Sequence, residues 1–317
     1  MKIAITGATG FVGKHLVEEL ITEKLSSEKL VVIGRRKIDL PKTLFFKCTI
    51  DKKTDYNKAL ESVTVVVHCA ARAHIMNDNS EDPLTKFREI NTDGTLNLAK
   101  QAAAKGVKRF IFLSSIKVNG ESTTDKAPFT ASDSSAFEDP YGTSKAEAEQ
   151  QLLELGQQTG MEIVIIRPPL IYGEGVKANF ASLMRFVDKG LPLPFRGIKY
   201  NKRSFVSVYN LVDLIKVCIE HPNAANQVFL ASDDNDLSTS EMVALMAKVQ
   251  GKKNISLPVP VWCFKLIGKL LNKTDVIDRL IGSLQLDISQ TKSTLGWIPP
   301  HSVEHGFKLA AKKPLTK

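Results

Sequence analysis

A doubly wound parallel α/β sheet is the fold class this sequence predicts, on three observations. Short β-branched runs alternate with amphipathic helical stretches through the first half of the chain. One run, Val63-Thr64-Val65-Val66-Val67-His68, is almost continuously β-branched, as befits a parallel strand covered on both faces. The opening run, residues 1–5, leads straight into Thr6-Gly7-Ala8-Thr9-Gly10-Phe11-Val12-Gly13 and then a helical pattern through Leu16, Val17, Leu20 and Ile21.

Strand, glycine turn and helix in that order is the setting a dinucleotide fingerprint requires. Gly7 permits the tight turn, Gly10 lets the backbone approach a pyrophosphate, and Gly13 lets the helix pack on the strand. The helix N-terminus, with Phe11 and Val12, then faces the anion. Further strands are predicted at 30–33, 44–48, 63–68, 109–115 and 162–167, with a helix between 83 and 105 and another carrying Tyr141. Ligands of such sheets sit beyond the carboxyl ends of the strands. Ser114, Ser115, Arg167 and Pro168 all fall at such ends.

Tyr141-Gly142-Thr143-Ser144-Lys145 places a phenol and an ammonium four residues apart on one helix face. A free tyrosine titrates near ~10, and poising it near ~7 takes about 4 kcal/mol of preferential phenolate stabilisation. A nearby ammonium and the positive ring of an oxidised nicotinamide can provide it. The pair can then exchange a proton with a carbinol oxygen.

Composition narrows the class. The 317 residues hold no apolar run approaching ~18, so no transmembrane segment is expected. A strand starting at residue 1 is expected to leave no room for a signal peptide. Cys48, Cys69, Cys218 and Cys263 lie scattered in apolar contexts, which fits reduced thiols and a cytoplasmic protein. The net charge of +9 suits an anionic nucleotide diphosphate. It is spread out and not interleaved with stacking aromatics, so no nucleic-acid partner is expected. His301 and His305 stand at i, i+4 without a third ligand pattern, and no metal site is expected. Trp262, Leu266, Ile267, Leu270 and Leu271 form an apolar stripe beside Lys265, Lys269 and Lys273. The expected arrangement is a helix packed on the domain with solvated lysines; lying on a membrane surface is the alternative. The polar stretch 121–138 has the character of a mobile lid.

Together these segments resemble the extended short-chain dehydrogenase/reductases that act on nucleotide sugars. Residues 6–13 resemble the TGxxGxxG turn of that family, and Ser115, Tyr141 and Lys145 its Ser/Tyr/Lys set. His68-Cys69-Ala70-Ala71 resembles its H-x-A-A/G segment, Asn91 its mid-sheet helix asparagine, and Arg167-Pro168-Pro169 the segment beside the nicotinamide. The resemblance implies a Rossmann fold with a smaller α/β substrate domain. The dinucleotide part is expected over 1–167 and about 204–222, and the nucleotide-sugar part over about 168–203 and 223–317. Tyr141 is implied as the proton donor or acceptor at the sugar oxygen. Ser115 would bond that same oxygen, and Lys145 the nicotinamide ribose. Ala70, Ala71, Asn91 and Pro168 are implied around the cofactor, and Asn179 and Arg203 around the substrate. A homodimer through the Asn91 and Tyr141 helices is implied, with a monomer as the alternative.

Two departures from the family pattern matter. Ile33-Gly34-Arg35-Arg36-Lys37 has no acid for a ribose 2′-hydroxyl, and Arg35 and Arg36 can clamp a 2′-phosphate. NADP(H) is therefore the expected cofactor, with NAD(H) as the alternative. Thr49-Ile50 stands where relatives carry Asp-Ile against the adenine, so only a hydroxyl is offered there. Residues 114–121, 169–173 and 177–180 look most like enzymes that reduce UDP-4-keto-6-deoxy-N-acetylglucosamine to UDP-N-acetylquinovosamine. The alternatives are a UDP-glucose or UDP-N-acetylglucosamine 4-epimerase, and a non-catalytic dinucleotide-binding regulator. A dehydratase is disfavoured because Ile116 and Lys117 occupy the place of its acid pair.

Overall fold

The computed structural model describes residues 1–22, 30–37, 43–73, 82–137 and 139–312. Its strands are β1 (Ile3–Thr6), β2 (Leu30–Gly34), β3 (Leu44–Lys47), β4 (Val65–His68), β5 (Arg109–Leu113), β6 (Glu162–Arg167), β7 (Leu170–Tyr172), β8 (Phe205–Ser207) and β9 (Gln227–Leu230). The helices are α1 (Phe11–Thr22), α2 (Pro83–Arg88), α3 (Thr95–Ala104), α4 (Pro140–Thr159), α5 (Ala178–Asp188), α6 (Val208–Glu220), α7 (Thr239–Val249), α8 (Val261–Leu270), α9 (Thr274–Ile281), α10 (Ser289–Leu295) and α11 (Val303–Ala310).

Seven strands form one parallel sheet in the order β3-β2-β1-β4-β5-β6-β9. The winding steps outward from β1 to β3, then reverses across β1 to β4. That reversal opens a crevice beyond the carboxyl ends of β1 and β4. Strand alternation sorts the core into two faces. Ile3, Ile5, Val65, Val67, Val164 and Ile166 pack with α1 and α6. Ala4, Val66, Ile163 and Ile165 pack with α3 and α4 through Leu98, Ala99, Leu152 and Leu155. Full burial of each such Val, Leu or Ile contributes roughly 1.5–3 kcal/mol, so the sheet is a rigid platform.

β7 and β8 make a separate parallel pair. A third apolar cluster surrounds it, with Tyr172, Phe180, Phe205, Met246 and Phe307 at its centre. A buried polar knot ties this cluster to the sheet. The Tyr172 hydroxyl donates to Asp233 Oδ2 at 2.6 Å, and Asp233 Oδ1 accepts from the Ser207 amide and Asn210 Nδ2.

The structure departs from the sequence reading in four places. The strand β9 lies beside β6 in the main sheet, although residues from 223 onward were expected in the substrate part. The helix expected at 83–105 is interrupted by a π-helical turn at Glu89–Gly94. There Gly94 lies flush on the chain crossing beneath it, since a Cβ would come within 2.9 Å of Ile50 Cγ2. The stretch expected to be a lid is stitched to the C-terminal part instead. Thr123 N donates to Ser283 O, Phe129 N to Gln285 O, and Asp287 N to Phe129 O; Glu138 lies outside the described residues. Finally, the apolar stripe of α8 faces outward: only Phe264 and Gly268 of that helix are buried. The four cysteines are unpaired. No helix among the described residues is long and apolar enough to cross a membrane.

Candidate active site

The glycine turn is built as tightly as its spacing implies. Gly7 has φ +72°, and a Cβ there would lie 2.6 Å from Ala70 N. A Cβ on Gly13 would lie 2.4 Å from Gly7 O, so the helix packs where only hydrogen fits. Gly10 N donates to Gly7 O at 2.8 Å, which closes the turn ahead of Phe11 and Val12 at the start of α1. Thr6 Oγ1 accepts from Ala70 N at 3.2 Å and pairs with His68 Nδ1 at 2.7 Å. The hydroxyl proton is therefore assigned to His68, whose Nε2 pairs with Thr95 Oγ1 at 2.9 Å. Burial pushes the His68 pKa down to about 3, so it is a neutral strut between strand, turn and helix. A backbone cradle with no room for a Cβ, at a helix N-terminus, fits the pyrophosphate of a dinucleotide.

The far end of the crevice is open. A Cβ on Gly34 would meet nothing within 4 Å, and Arg35 and Arg36 are exposed. Arg35 lines an open pocket of about 540 Å³ with Lys47, Cys48, Thr49, Thr54 and Asp55. Thr49 Oγ1 donates to Asp51 Oδ2 at 2.5 Å, so its hydroxyl is already engaged, and Ile50 packs on Gly94. Hydrogen bonds, first of all from Thr49, hold the Asp51 pKa down to about 2.

Ser115, Tyr141 and Lys145 converge beyond the end of β5. Ser115 caps a short 3₁₀ turn, Ile116–Val118, and Ile116 N donates to Pro168 O at 3.0 Å, fixing the buried Pro168 beside it. Asp139 caps α4 by accepting from Gly142 N at 2.6 Å, with Pro140 at the first helical position. Tyr141 is half-buried against the edge of Phe87. Burial and then the Asp139 carboxylate raise its phenol above the ordinary tyrosine range, while hydrogen bonding to the Ser115 side chain acts the other way. Lys145 is 1 % exposed; its Nζ donates to Leu113 O at 2.8 Å and lies 4.2 Å from the centre of the Phe112 ring. Burial lowers its pKa to about 7.

Asn91 acts from the π turn. Its Oδ1 accepts from Arg72 N at 2.8 Å, and its Nδ2 donates to Arg72 O and to Ser144 Oγ. Thr92 Oγ1 donates to Ser144 O at 2.9 Å. The Asn91 amide is thus spent on protein groups. It fastens the loop after β4, with Ala70 and Ala71, to the residue preceding Lys145.

Sequence reasoning missed three groups. Glu149, one turn beyond Lys145, forms a buried ion pair with Arg167 at 2.5 Å and accepts from the Ser114 hydroxyl. Its i, i+4 spacing from Lys145 was the available signal. Lys117 bridges Glu121 and the capping Asp139. Arg279 on α9 lies near enough to Arg203 to depress it. Burial, then Arg279, lowers the Arg203 pKa to about 10, with Glu121 opposing, and Arg203 Nη1 donates to Gly282 O at 3.2 Å. Arg203 is thus a half-buried cation with a second guanidinium close enough to act on its charge. Asn179 is exposed on the first turn of α5. Leu193 and Phe195 serve packing: Leu193 joins the third cluster and Phe195 stacks on Phe264 at 6.1 Å. His301 and His305 stack at 4.9 Å, and no cluster of three His, Cys, Asp or Glu occurs among the described residues.

Known proteins agree with this architecture. A UDP-glucose 4-epimerase of Vibrio cholerae is 56% identical over 98% of this chain and 94% of its own length. Among solved structures, a UDP-glucuronic acid 4-epimerase from Bacillus cereus in complex with NAD superposes with a TM-score of 0.79 at 20% identity, covering 98% of this chain and 97% of that one. A UDP-glucose 4-epimerase with UDP-glucose from Thermotoga maritima gives 0.77 at 24% identity, with 98% and 97% covered. These two show the fold. Residues 3–231 match the model of the NAD dependent epimerase/dehydratase family, and the chain is an enzyme of that family.

Proposed function

We propose that this enzyme is a UDP-hexose 4-epimerase that interconverts the two configurations at the sugar's fourth carbon. The observation that carries the reading is the 56% identity, nearly end to end, with the Vibrio cholerae UDP-glucose 4-epimerase. It reverses the order of preference drawn from sequence motifs, which put a 4-keto-sugar reductase first.

The site's own residues suit the chemistry. Bound NAD(P)⁺ supplies the hydride acceptor, later the donor, and a positive charge close to the phenol. The positive charge of the oxidised nicotinamide would oppose the burial that raises the Tyr141 phenol and favour its phenolate, which would then take the proton of the sugar's 4-hydroxyl as that carbon is oxidised to a ketone and return it once the carbon has been reduced from its other face. Ser115 donates to the same oxygen and fixes its direction. Lys145 and the Asn91 fastening hold the helix turn that carries Tyr141. Arg203 and Arg279 take the diphosphate of the nucleotide, with Asn179 nearby in the substrate part. Lys117, tied to Asp139 and Glu121, leaves no free carboxylate beside Ser115 for an elimination.

A second reading has one specific support. The open Gly34 with Arg35 and Arg36 favours NADPH, which a 4-keto-sugar reductase consumes each turnover. One experiment separates the two. The purified enzyme is incubated with UDP-glucose or UDP-N-acetylglucosamine and no added cofactor, then with a UDP-4-keto sugar and NADPH. Formation of the C4 epimers without added cofactor is expected. Stoichiometric NADPH oxidation by the keto sugar, with no epimer formed, would install the reductase. Titrating NADH and NADPH into the parent and the Arg35→Ala/Arg36→Ala variant reads the cofactor separately; equal parental affinities remove the NADP preference.

A further inference from the structure

The α8–α9 hairpin turns the usual amphipathic arrangement inside out. On α8, Phe264 stacks on Phe195, and Gly268 lies so close to α9 that a Cβ would come within 2.7 Å of Ile277 Cγ1. Those contacts attach one narrow edge of the helix. The opposite face carries Trp262, Leu266 and Leu270, with Ile267 and Leu271 at its margin. Trp262 is 65 % exposed, Leu270 75 % and Leu271 62 %. With Val276, six of the sixteen exposed large apolar side chains among the described residues fall within positions 262–276. Singly exposed leucines need no explanation, but a contiguous patch on one helix face marks an interaction surface.

Charge selects the occupant. From 242 to 274 the sequence contains six lysines and no acidic residue; Asp275 and Asp278 follow on α9, so the basic excess belongs to α8 and the segment before it. Lys248 and Lys252 pair with Glu304 and Asp188, whereas Lys265, Lys269 and Lys273 make no ion pair among the described residues. Lys265 and Lys269 lie one turn apart on α8 beside the apolar face, and Lys273 stands at the N-cap of α9. A second copy of the chain meeting this face about a two-fold axis would press lysines against lysines. An anionic bilayer accepts both parts of the pattern, the apolar side chains among the acyl chains and the ammoniums among the headgroups.

We propose that α8 docks this enzyme on anionic lipid bilayers, lying in the plane of the interface. The docking face adjoins the substrate region, because α9 carries Arg279 and the Gly282 carbonyl that follows it accepts from Arg203. The proposal does not depend on which sugar is turned over.

The full-length protein is mixed with vesicles of phosphatidylcholine alone or with roughly 30 mol% phosphatidylglycerol, and binding is read by co-sedimentation and tryptophan emission. Of the two tryptophans, Trp297 is buried in the core, so a blue shift reports Trp262. Binding to the anionic vesicles with a blue shift is expected, reversed by high salt. Leu266→Glu/Leu270→Glu should weaken it roughly 100-fold. Lys265→Gln/Lys269→Gln/Lys273→Gln should weaken it by a similar factor. Both variants change exposed positions and should turn over soluble nucleotide sugar as the parent does, which verifies their folding. A parent that stays in the supernatant with unshifted emission overturns the proposal, and so does sedimentation that survives both variants. A solution dimer that the Leu266→Glu/Leu270→Glu variant splits would assign the face to a second copy and overturn it equally.

Discussion

Lys145, His68 and Asn91 in the sheet-bearing part of the molecule are almost wholly buried, as are Glu149 and Arg167. In the part built around β7 and β8, Asn179, Arg279 and the outer face of α8 stand at the surface. The buried groups are held by backbone atoms and by one another, so their positions are set before any ligand arrives. Asn179 and Arg279 are exposed, and the half-buried Arg203 is tied to a single carbonyl, Gly282 O, with the Arg279 charge close by. A reaction centre that must place a phenol within a few tenths of an ångström calls for the first kind of construction. A surface that must grip a flexible diphosphate or a bilayer works with the second. Substitutions in the first part should therefore change the rate of the chemical step or the fold, and those in the second should change binding.

The largest effect tests that division directly. Tyr141→Phe is expected to lower kcat about 10³-fold while leaving dinucleotide binding within a factor of two or so, measured by turnover and by fluorescence titration. Loss of both together would mean the phenol serves packing. Gly13→Ala should come next. A methyl group 2.4 Å from Gly7 O forces α1 off β1, at a cost of roughly 3 kcal/mol or more in urea unfolding, with dinucleotide stabilisation lost. A variant that melts like the parent would show that the cradle is soft.

Arg203→Ala belongs to the other side of the comparison. It should raise KM for the nucleotide sugar about 30-fold with kcat nearly unchanged, a loss of ~2 kcal/mol of uniform binding. A fall in kcat with KM unmoved would transfer Arg203 to the chemical machinery. The last effect is spread over pH and concerns Lys145. Between its folded pKa of about 7 and its ordinary 10.5, the unfolded chain binds a proton that the folded chain does not. This contribution makes the ligand-free protein more stable as pH rises through that window and less stable as pH falls, by up to ~1.4 kcal/mol per unit. Lys145→Met should flatten the slope, read as the difference in urea midpoints between parent and variant at pH 7, 8 and 9. Identical slopes would mean that the burial cost of this ammonium is relieved elsewhere.

Legibility in the sequence follows the same line. The glycine turn could be read because each glycine answers a local demand, a positive φ or a contact at less than van der Waals distance, that no other residue meets. Ser115, Tyr141 and Lys145 could be read because their chemistry is tied to strand ends and helix spacing. Glu149 sat in plain view at helical spacing, yet its ion pair depends on β6 bringing Arg167 alongside. Arg279 had no local mark at all; its meaning comes from the fold that carries α9 to Arg203. The stripe on α8 could be read as a stripe but not as facing outward. Periodicity fixes which residues share a side, and only tertiary contacts decide where that side points. β9 escaped because four residues with a half-buried pattern carry too little signal.

The π turn at Glu89–Gly94 has one more consequence. A π turn holds one residue more than the α-helical turn it replaces. The helix that follows resumes the ordinary register and keeps Leu98, Ala99 and Ala102 in the core. Asn91 thus occupies what amounts to an insertion. The fastening of Arg72 to Ser144 is thus carried by the widened turn and stands apart from the regular helical register that packs the domain.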